Sequence, residues 1–334
     1  MGLVSLGDMA QSFMLRRQTV ALKSDLQRLS TELTTGRVAD TVARVSGDLG
    51  PVSGIDASLA RLKGYGAVTA EAGLFAGSMQ TALGVVDDLS SALSRTLLAA
   101  SSSSSQSLVD ATGRDSRSRL ETALSALNTR VGDRSVFGGV ATNGPATAPA
   151  ETIMLALDTA ILGATTVQDI ETAVTDWFNA PTGFSALGYT GGAALAPVNI
   201  APGEEANLDI TATDPAIRAT LKGLAMAALL DRGVLAGQPA ARQDLAKRAG
   251  LSLLESQSER TFLAARLGAA EAQIDAAASR NAAETTSLQI ARSDITAADP
   301  FETASRLQET QQQLEKIYAI TARITRLSLM DYLR

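Results

Sequence analysis

Asp87-Asp88 and Glu204-Glu205 are the carboxylate pairs in this chain whose adjacency raises the question of acid–base chemistry. Neighbouring residues on a helix point about 100° apart, so Asp87 and Asp88 cannot converge on one reacting atom. Glu204-Glu205 follows Pro202-Gly203 and reads as a solvated turn. Gly64-Tyr-Gly66 has neither a third glycine at the right spacing nor a preceding strand, so it is not a phosphate-binding loop. The chain has no histidine, the commonest general base and metal ligand, and no cysteine for thiolate chemistry or disulfides. No zinc-ligand spacing and no serine-elbow motif occurs. The sequence therefore assigns no catalytic, cofactor-binding or metal-ligating residue and is not expected to be an enzyme, a secreted helical enzyme or effector being the lesser alternative.

What the elements position instead is surface for other helices. Leu15, Leu22 and Leu29 stand seven apart, with Thr19, Leu26 and Leu33 at the intervening positions, a two-position heptad seam flanked by Arg16, Lys23, Asp25, Arg28 and Glu32. Gly36 closes it as a C-terminal cap. At the far end Asp299-Pro300 is a helix-start signal, because aspartate accepts from unpaired backbone N–H groups and proline needs no partner at the first helical position. Beyond it Leu307, Thr310, Leu314, Ile317, Thr321, Ile324 and Leu327 follow spacings of three and four on a helix of about 50 Å. Each stripe is too narrow to close a core, so each needs a partner helix, and the two ends of the chain offer one another. Such seams are expected to order fully only where neighbouring subunits add surface.

Between the ends, glycines and Pro51 mark Arg37–Gly54 as a loop or extended link, and helical periodicity runs from Ile55 to Leu97. Gly64, Gly66, Gly73, Gly77 and Gly84 interrupt that helix at a cost of up to about 1 kcal/mol each, which predicts a second helix passing close by. Ser101–Ser105 reads as a helix–helix turn, and a returning helix spans Leu108–Val131. Gly132-Asp133 supplies a turn, with a short strand over Ser135–Val140. Prolines accumulate from Pro145 to Pro202, which predicts a small inserted region with helices at Thr152–Leu162 and Val167–Phe178 and strands at Val198–Ile200 and Ala206–Thr211. Asp214-Pro215 launches a helix to about Asp231. A long one follows Gly237-Gln-Pro239 to about Ala291, where Asn281 either fixes register in the apolar seam or faces water.

Only 4% of residues are aromatic, while Ala, Leu, Ser, Thr and Arg are abundant, a mix suited to closely packed helices. The net charge of −6 carries no nucleic-acid footprint. No apolar run reaches the roughly 18 residues of a membrane span, and the N-terminus has no signal-peptide pattern, so neither a membrane role nor a cleaved leader is expected. The fold class expected is mainly α: paired terminal coiled-coil helices (1–40 and 297–334), an elongated helical-bundle rod with a β-hairpin (41–140 and 213–296), and an inserted α+β domain (141–212).

Three segments carry a resemblance. Leu26-Gln-Arg-Leu-Ser-Thr-Glu-Leu-Thr-Thr-Gly-Arg37 resembles the N-terminal motif of flagellins. Asn128–Gly139 resembles the same family's Asn-Thr…Gly…Phe-x-Gly segment. Arg326-Leu-Ser-Leu-Met-Asp-Tyr-Leu-Arg334 is similar to the closing segment of hook–filament junction proteins. With Gly268–Ile274 the likeness covers about the first 40 residues, a central segment and about the last 70. Val38–Val42 and Met330–Leu333 depart from flagellin and favour the hook-associated protein 3 branch, although that branch's own Asp-Asp-Pro segment is missing and flagellin stays open.

The resemblance implies a structural subunit of the extracellular bacterial flagellum that serves motility and is exported through the flagellar secretion channel. Its implied partners are copies of itself in a ring-like or helical assembly, the other hook-associated junction protein, flagellin and an export chaperone, with no cofactor. The assembly contacts it implies lie at Leu15, Leu22, Leu26, Leu29, Leu33, Leu307, Leu314, Ile317, Ile324, Leu327 and Tyr332, with the 141–212 insertion outermost.

Overall fold

In a computed structural model, residues 6–103 and 105–332 are described, the side chains of 6–8, 325 and 327–332 lying outside that description. The chain runs α1 (Leu6–Thr35), α2 (Thr41–Arg44), α3 (Gly50–Ser102), α4 (Gln106–Leu127), β1 (Arg130–Val131), β2 (Arg134–Ser135), α5 (Ala150–Ala160) and α6 (Val167–Asn179). One π-helical turn (Phe184–Gly188) precedes β3 (Val198–Ala201), β4 (Glu204–Ala206), α7 (Pro215–Ala228), α8 (Pro239–Glu255), α9 (Gln257–Thr296) and α10 (Pro300–Tyr332). The fold is mainly helical, with two small antiparallel sheets among the described residues. It forms two units, one from 1–62 with 283–334 and the other from 63–282.

The 63–282 unit holds the large core. Leu93, Leu97, Leu120, Leu127, Ile153 and Leu157 are fully buried in a cluster that also takes in Phe178, Phe184, Ile200 and Leu224. The side chains of 141–212 thus share one core with the helices on either side of them in sequence. Trp177, the chain's only tryptophan, meets Phe178 edge-on at 5.0 Å, and Phe178 stacks on Phe184 at 5.4 Å.

Helices meet closely where glycine removes a side chain, but not at the glycines the sequence points to. An added Cβ would find open space at Gly64, Gly66 and Gly84, and only ordinary contact at Gly73 and Gly77. The tight crossings lie elsewhere. A Cβ at Gly113 would stand 2.9 Å from the backbone N of Asp231, one at Gly223 2.7 Å from Leu253, and one at Gly250 3.2 Å from the backbone O of Ser94. The Ser94 hydroxyl completes that last crossing by donating to the Gly250 carbonyl at 2.7 Å.

Several local expectations change. Pro51 sits in the first turn of α3 and does not break it, since a proline there needs no donor partner. The strand expected over Ser135–Val140 is replaced by β1 and β2 around Gly132 and Asp133, both at positive φ, as a two-residue hairpin requires. Likewise Glu204-Glu205 is strand, not turn: Gly203 at φ +74° makes the turn, and β4 pairs with β3 one residue later. The strand expected at Ala206–Thr211 does not form beyond Ala206. The helix expected to run unbroken to Ala291 divides at Ser256 into α8 and α9. Asn281 is buried, and its amide donates to the Ile200 carbonyl at 2.9 Å, tying α9 to β3.

The Asn128–Gly139 segment has a physical rationale. The Asn128 side chain accepts from the Thr147 N–H at 2.8 Å and donates to the Thr147 carbonyl at 3.2 Å. Phe137 is fully buried, and Gly139 lies at φ +57°, where a Cβ would strike the backbone O of Ala193.

Candidate assembly interface

In the 1–62 and 283–334 unit, α1 and α10 pack against each other. The junction between them is set by the chain. Gly36, at φ +67°, ends α1 by donating its N–H to the Glu32 carbonyl at 2.8 Å. The chain then bridges the two ends: the Val38 N–H donates to the Thr296 carbonyl and the Ala298 N–H to the Gly36 carbonyl, both at 3.0 Å, around an antiparallel pair Arg37–Ala297. Asp299 caps α10 by accepting from the N–H groups of Phe301 and Glu302 at 2.9 and 3.0 Å. Because the end of α1 meets the start of α10, the two helices run antiparallel.

Along the seam, Leu15, Leu22 and Leu26 are half-buried and Leu29 is buried, while Leu33 remains exposed. On α10, Leu307, Leu314, Ile317 and Ile324 are half-buried. The side chains of Leu327 and Tyr332 lie outside the described residues. Two features of the pair carry no periodic signal. Glu32 is nearly fully buried, its carboxylate accepting from the Ala39 N–H at 2.9 Å and from Arg28 at 3.5 Å. Its neighbour Arg28 also pairs with Asp25 at 3.0 Å, and these carboxylates, Asp25 foremost, hold the guanidinium above its ordinary pKa. Across the seam the Lys23 ammonium stands 5.9 Å from the Tyr318 ring centre, a cation–π contact.

The pair leaves much apolar surface open. Met9, Phe13, Met14 and Val20 on α1, and Tyr318 and Ile320 on α10, are exposed, Phe13 by 68%. In the same unit Arg292 holds Asp56 at 2.6 Å.

One carboxylate of each pair considered for chemistry is held in an ion pair. Asp87 binds the buried Arg260 at 2.7 Å, and Glu204 pairs with Arg280. Gly64-Tyr-Gly66 lies inside α3. Among the described residues no three acidic side chains gather as metal ligands would, and no helix is long and apolar enough to cross a membrane.

Residues 255–333, which include all of α9 and α10, match the family model of the bacterial flagellin C-terminal helical region. Among curated proteins no sequence match is found. Among solved structures the fold is similar to that of a Vibrio parahaemolyticus protein assigned as a flagellar hook-associated protein. The TM-score is 0.53 at 12% identity, over 72% of this chain and 94% of that one. The C-terminal quarter of the chain thus resembles the flagellin C-terminal helical region, and the fold is similar to that of the Vibrio protein.

Proposed function

We propose that the protein is an adaptor at the hook–filament junction, assembled through α1 and α10 and without catalytic activity. The observation that carries this reading is the unfinished burial of the terminal pair. Leu15, Leu22 and Leu26 of the seam are only half-buried within one chain, and phenylalanine and methionine side chains on the same helix are exposed. Apolar surface of that kind is stabilised when neighbouring copies cover it. In this reading residues 1–40 and 297–334 form the inner assembly domain, 41–140 and 213–296 the helical rod, and 141–212 the outermost region. Leu15, Leu22, Leu26, Leu29, Leu33, Leu307, Leu314, Ile317, Ile324, Leu327 and Tyr332 supply its contacts. Its partners are copies of itself, the second junction protein, flagellin and an export chaperone, and it leaves the cell through the flagellar channel.

The sequence Leu327-Ser-Leu-Met-Asp-Tyr-Leu333 supports the junction role, and the fold of the Vibrio protein agrees with it. The match of 255–333 to a flagellin region supports the second reading, a filament subunit. Seeding decides between them. A filament subunit presents matching contacts above and below itself and grows without limit, whereas an adaptor stops after few copies. On purified hook fragments, the protein is expected to add a short cap and then recruit flagellin. Growth into micrometre filaments by this protein alone would establish the filament role instead.

A further inference from the structure

The exposed side of α10 carries a line of charge in two signs. Glu302, Glu309, Lys316 and Arg323 stand seven residues apart, so all four fall on one stripe of the helix. All four are exposed, roughly 120° round α10 from the seam that meets α1. Glu302 already pairs with Arg306 at 2.6 Å, in the open. Glu309 accepts a hydrogen bond from Gln313 at 3.4 Å and has no cation. No acid lies three or four positions from Lys316 or Arg323 on α10, and neither forms an ion pair among the described residues. The same division runs along the whole helix pair, whose ends are matched by the Arg37–Ala297 bridge and the Lys23–Tyr318 contact. Its far half, residues 9–24 and 316–326, holds Arg16, Arg17, Lys23, Lys316, Arg323 and Arg326 and no acid; Asp8 and Asp331 come only further out. Its near half, residues 25–40 and 299–315, holds seven acids and three arginines. Both halves also expose apolar side chains, Phe13 and Ile320 in the first, Leu33 and Phe301 in the second.

We propose that a second copy lays the acidic half of its terminal pair along the cationic half of this one, the two α10 helices parallel and shifted by fourteen residues, about 21 Å. The stripe itself selects that shift. With no shift every charge meets its own sign, and like charges side by side repel. A shift of seven sets two like pairs against one opposite pair. At fourteen, Glu309 of the second copy stands beside Arg323 and its Glu302 beside Lys316, with no like pair left. A second copy running the other way would match the signs too, but it closes a two-fold dimer. The parallel shift leaves a cationic half free at one end and an acidic half at the other, so further copies can join. The inference rests on the assembly reading, which needs such an open contact.

Charge exchange and cysteine trapping, both on the full chain added to purified hook fragments, test it. Arg323→Glu is expected to raise the concentration needed for assembly roughly tenfold. Adding Glu309→Arg to that variant is expected to restore assembly, because the shifted neighbours again differ in sign. In the reversed arrangement the same double variant sets Arg against Lys316 and Glu against Glu302, so it would not recover. The chain has no cysteine, so any disulfide reports introduced positions alone. Ser305, Gln312 and Ala319 are exposed, and their cysteine variants are expected to fold. Ser305→Cys mixed with Ala319→Cys, fourteen residues apart, is expected to give a disulfide-linked dimer, and neither is expected to do so alone. Gln312→Cys, which a reversed copy would bring against itself, is expected to stay monomeric on oxidation. A Gln312→Cys dimer, or a double variant that fails to recover, would overturn the parallel shift. Assembly undiminished by Arg323→Glu, or no mixed disulfide while the wild-type protein assembles, would overturn the contact and leave the assembly reading standing. A wild-type protein that forms no assembly at all would overturn both.

Discussion

The terminal helix pair and the 63–282 unit are built from the same apolar spacing, yet they bury it differently. In the larger unit Leu93, Leu97, Leu120 and Leu127 are fully enclosed, because α7, α8 and the aromatic cluster add further layers. In the pair, Leu15, Leu22, Leu314 and Ile317 face a single partner helix and stay half-exposed. A fully buried leucine contributes about 1.5–3 kcal/mol and a half-buried one about half of that. Periodicity alone therefore says which face is buried and not how well. The number of layers around a seam decides whether it stabilises a monomer or awaits another chain.

The sharpest break of this comparison is a pair of truncations. Leu97→Ala is expected to cost the 63–282 unit about 2–5 kcal/mol, read as a lowered midpoint in Trp177 fluorescence on urea unfolding. The triple variant Leu314→Ala, Ile317→Ala, Ile324→Ala is expected to leave that fluorescence transition in place while abolishing assembly. A shifted Trp177 transition in the triple variant would show that the two units are one cooperative whole.

Glycine gives the next largest contrast. Gly113→Val forces a side chain against the Leu230–Asp231 backbone and is expected to destabilise by about 1–3 kcal/mol. Gly64→Ala meets no atom within 4 Å and is expected to stabilise α3 by up to about 1 kcal/mol. Equal thermal shifts of the two variants would contradict the packing described.

A smaller effect belongs to Ser135, fully buried with a hydroxyl that has no partner. Ser135→Ala removes that orphan and is expected to gain about 1 kcal/mol, measured by calorimetry.

The smallest is a pH dependence. Burial raises the Tyr189 pKa, while the phenol donates to the Gly192 carbonyl at 2.7 Å. Because the folded value exceeds the unfolded one, Tyr189 contributes stability in full below its unfolded pKa. That contribution is lost as pH rises through the folded value. Stability of the 63–282 unit is expected to decline above about pH 10, and Tyr189→Phe is expected to flatten the decline.

These contrasts also mark how far the sequence could be read. The seams of α1 and α10, the Asp214 and Asp299 caps and the serine turn are local features, written in residues three to seven apart. Gly113, Gly223 and Gly250 look like any helical glycine until Leu230–Asp231, α8 and α3 respectively lie against them, so nothing local distinguishes them from Gly64. The break at Ser256 carries neither proline nor glycine. In the assembly interface the leucines announce themselves by spacing. The buried carboxylate of Glu32 depends on a backbone N–H seven residues ahead, beyond the turn.

Five long-range hydrogen-bonded and ionic pairs of this chain are nested. Asp110–Arg242 encloses 132 residues of separation, Ser103–Gln243 140, Ser94–Gly250 156, Asp87–Arg260 173 and Asp56–Arg292 236. Doubling a loop adds about 0.6 kcal/mol to the entropy of closing it, and the whole series spans less than one doubling. Once the innermost pair has formed, each later pair closes only the residues added since the last, 8, 16, 17 and then 63 of them by difference of these separations. The chain is thereby disposed to fold like a zipper drawn from its middle, with the start of α1 and the end of α10 the last to meet.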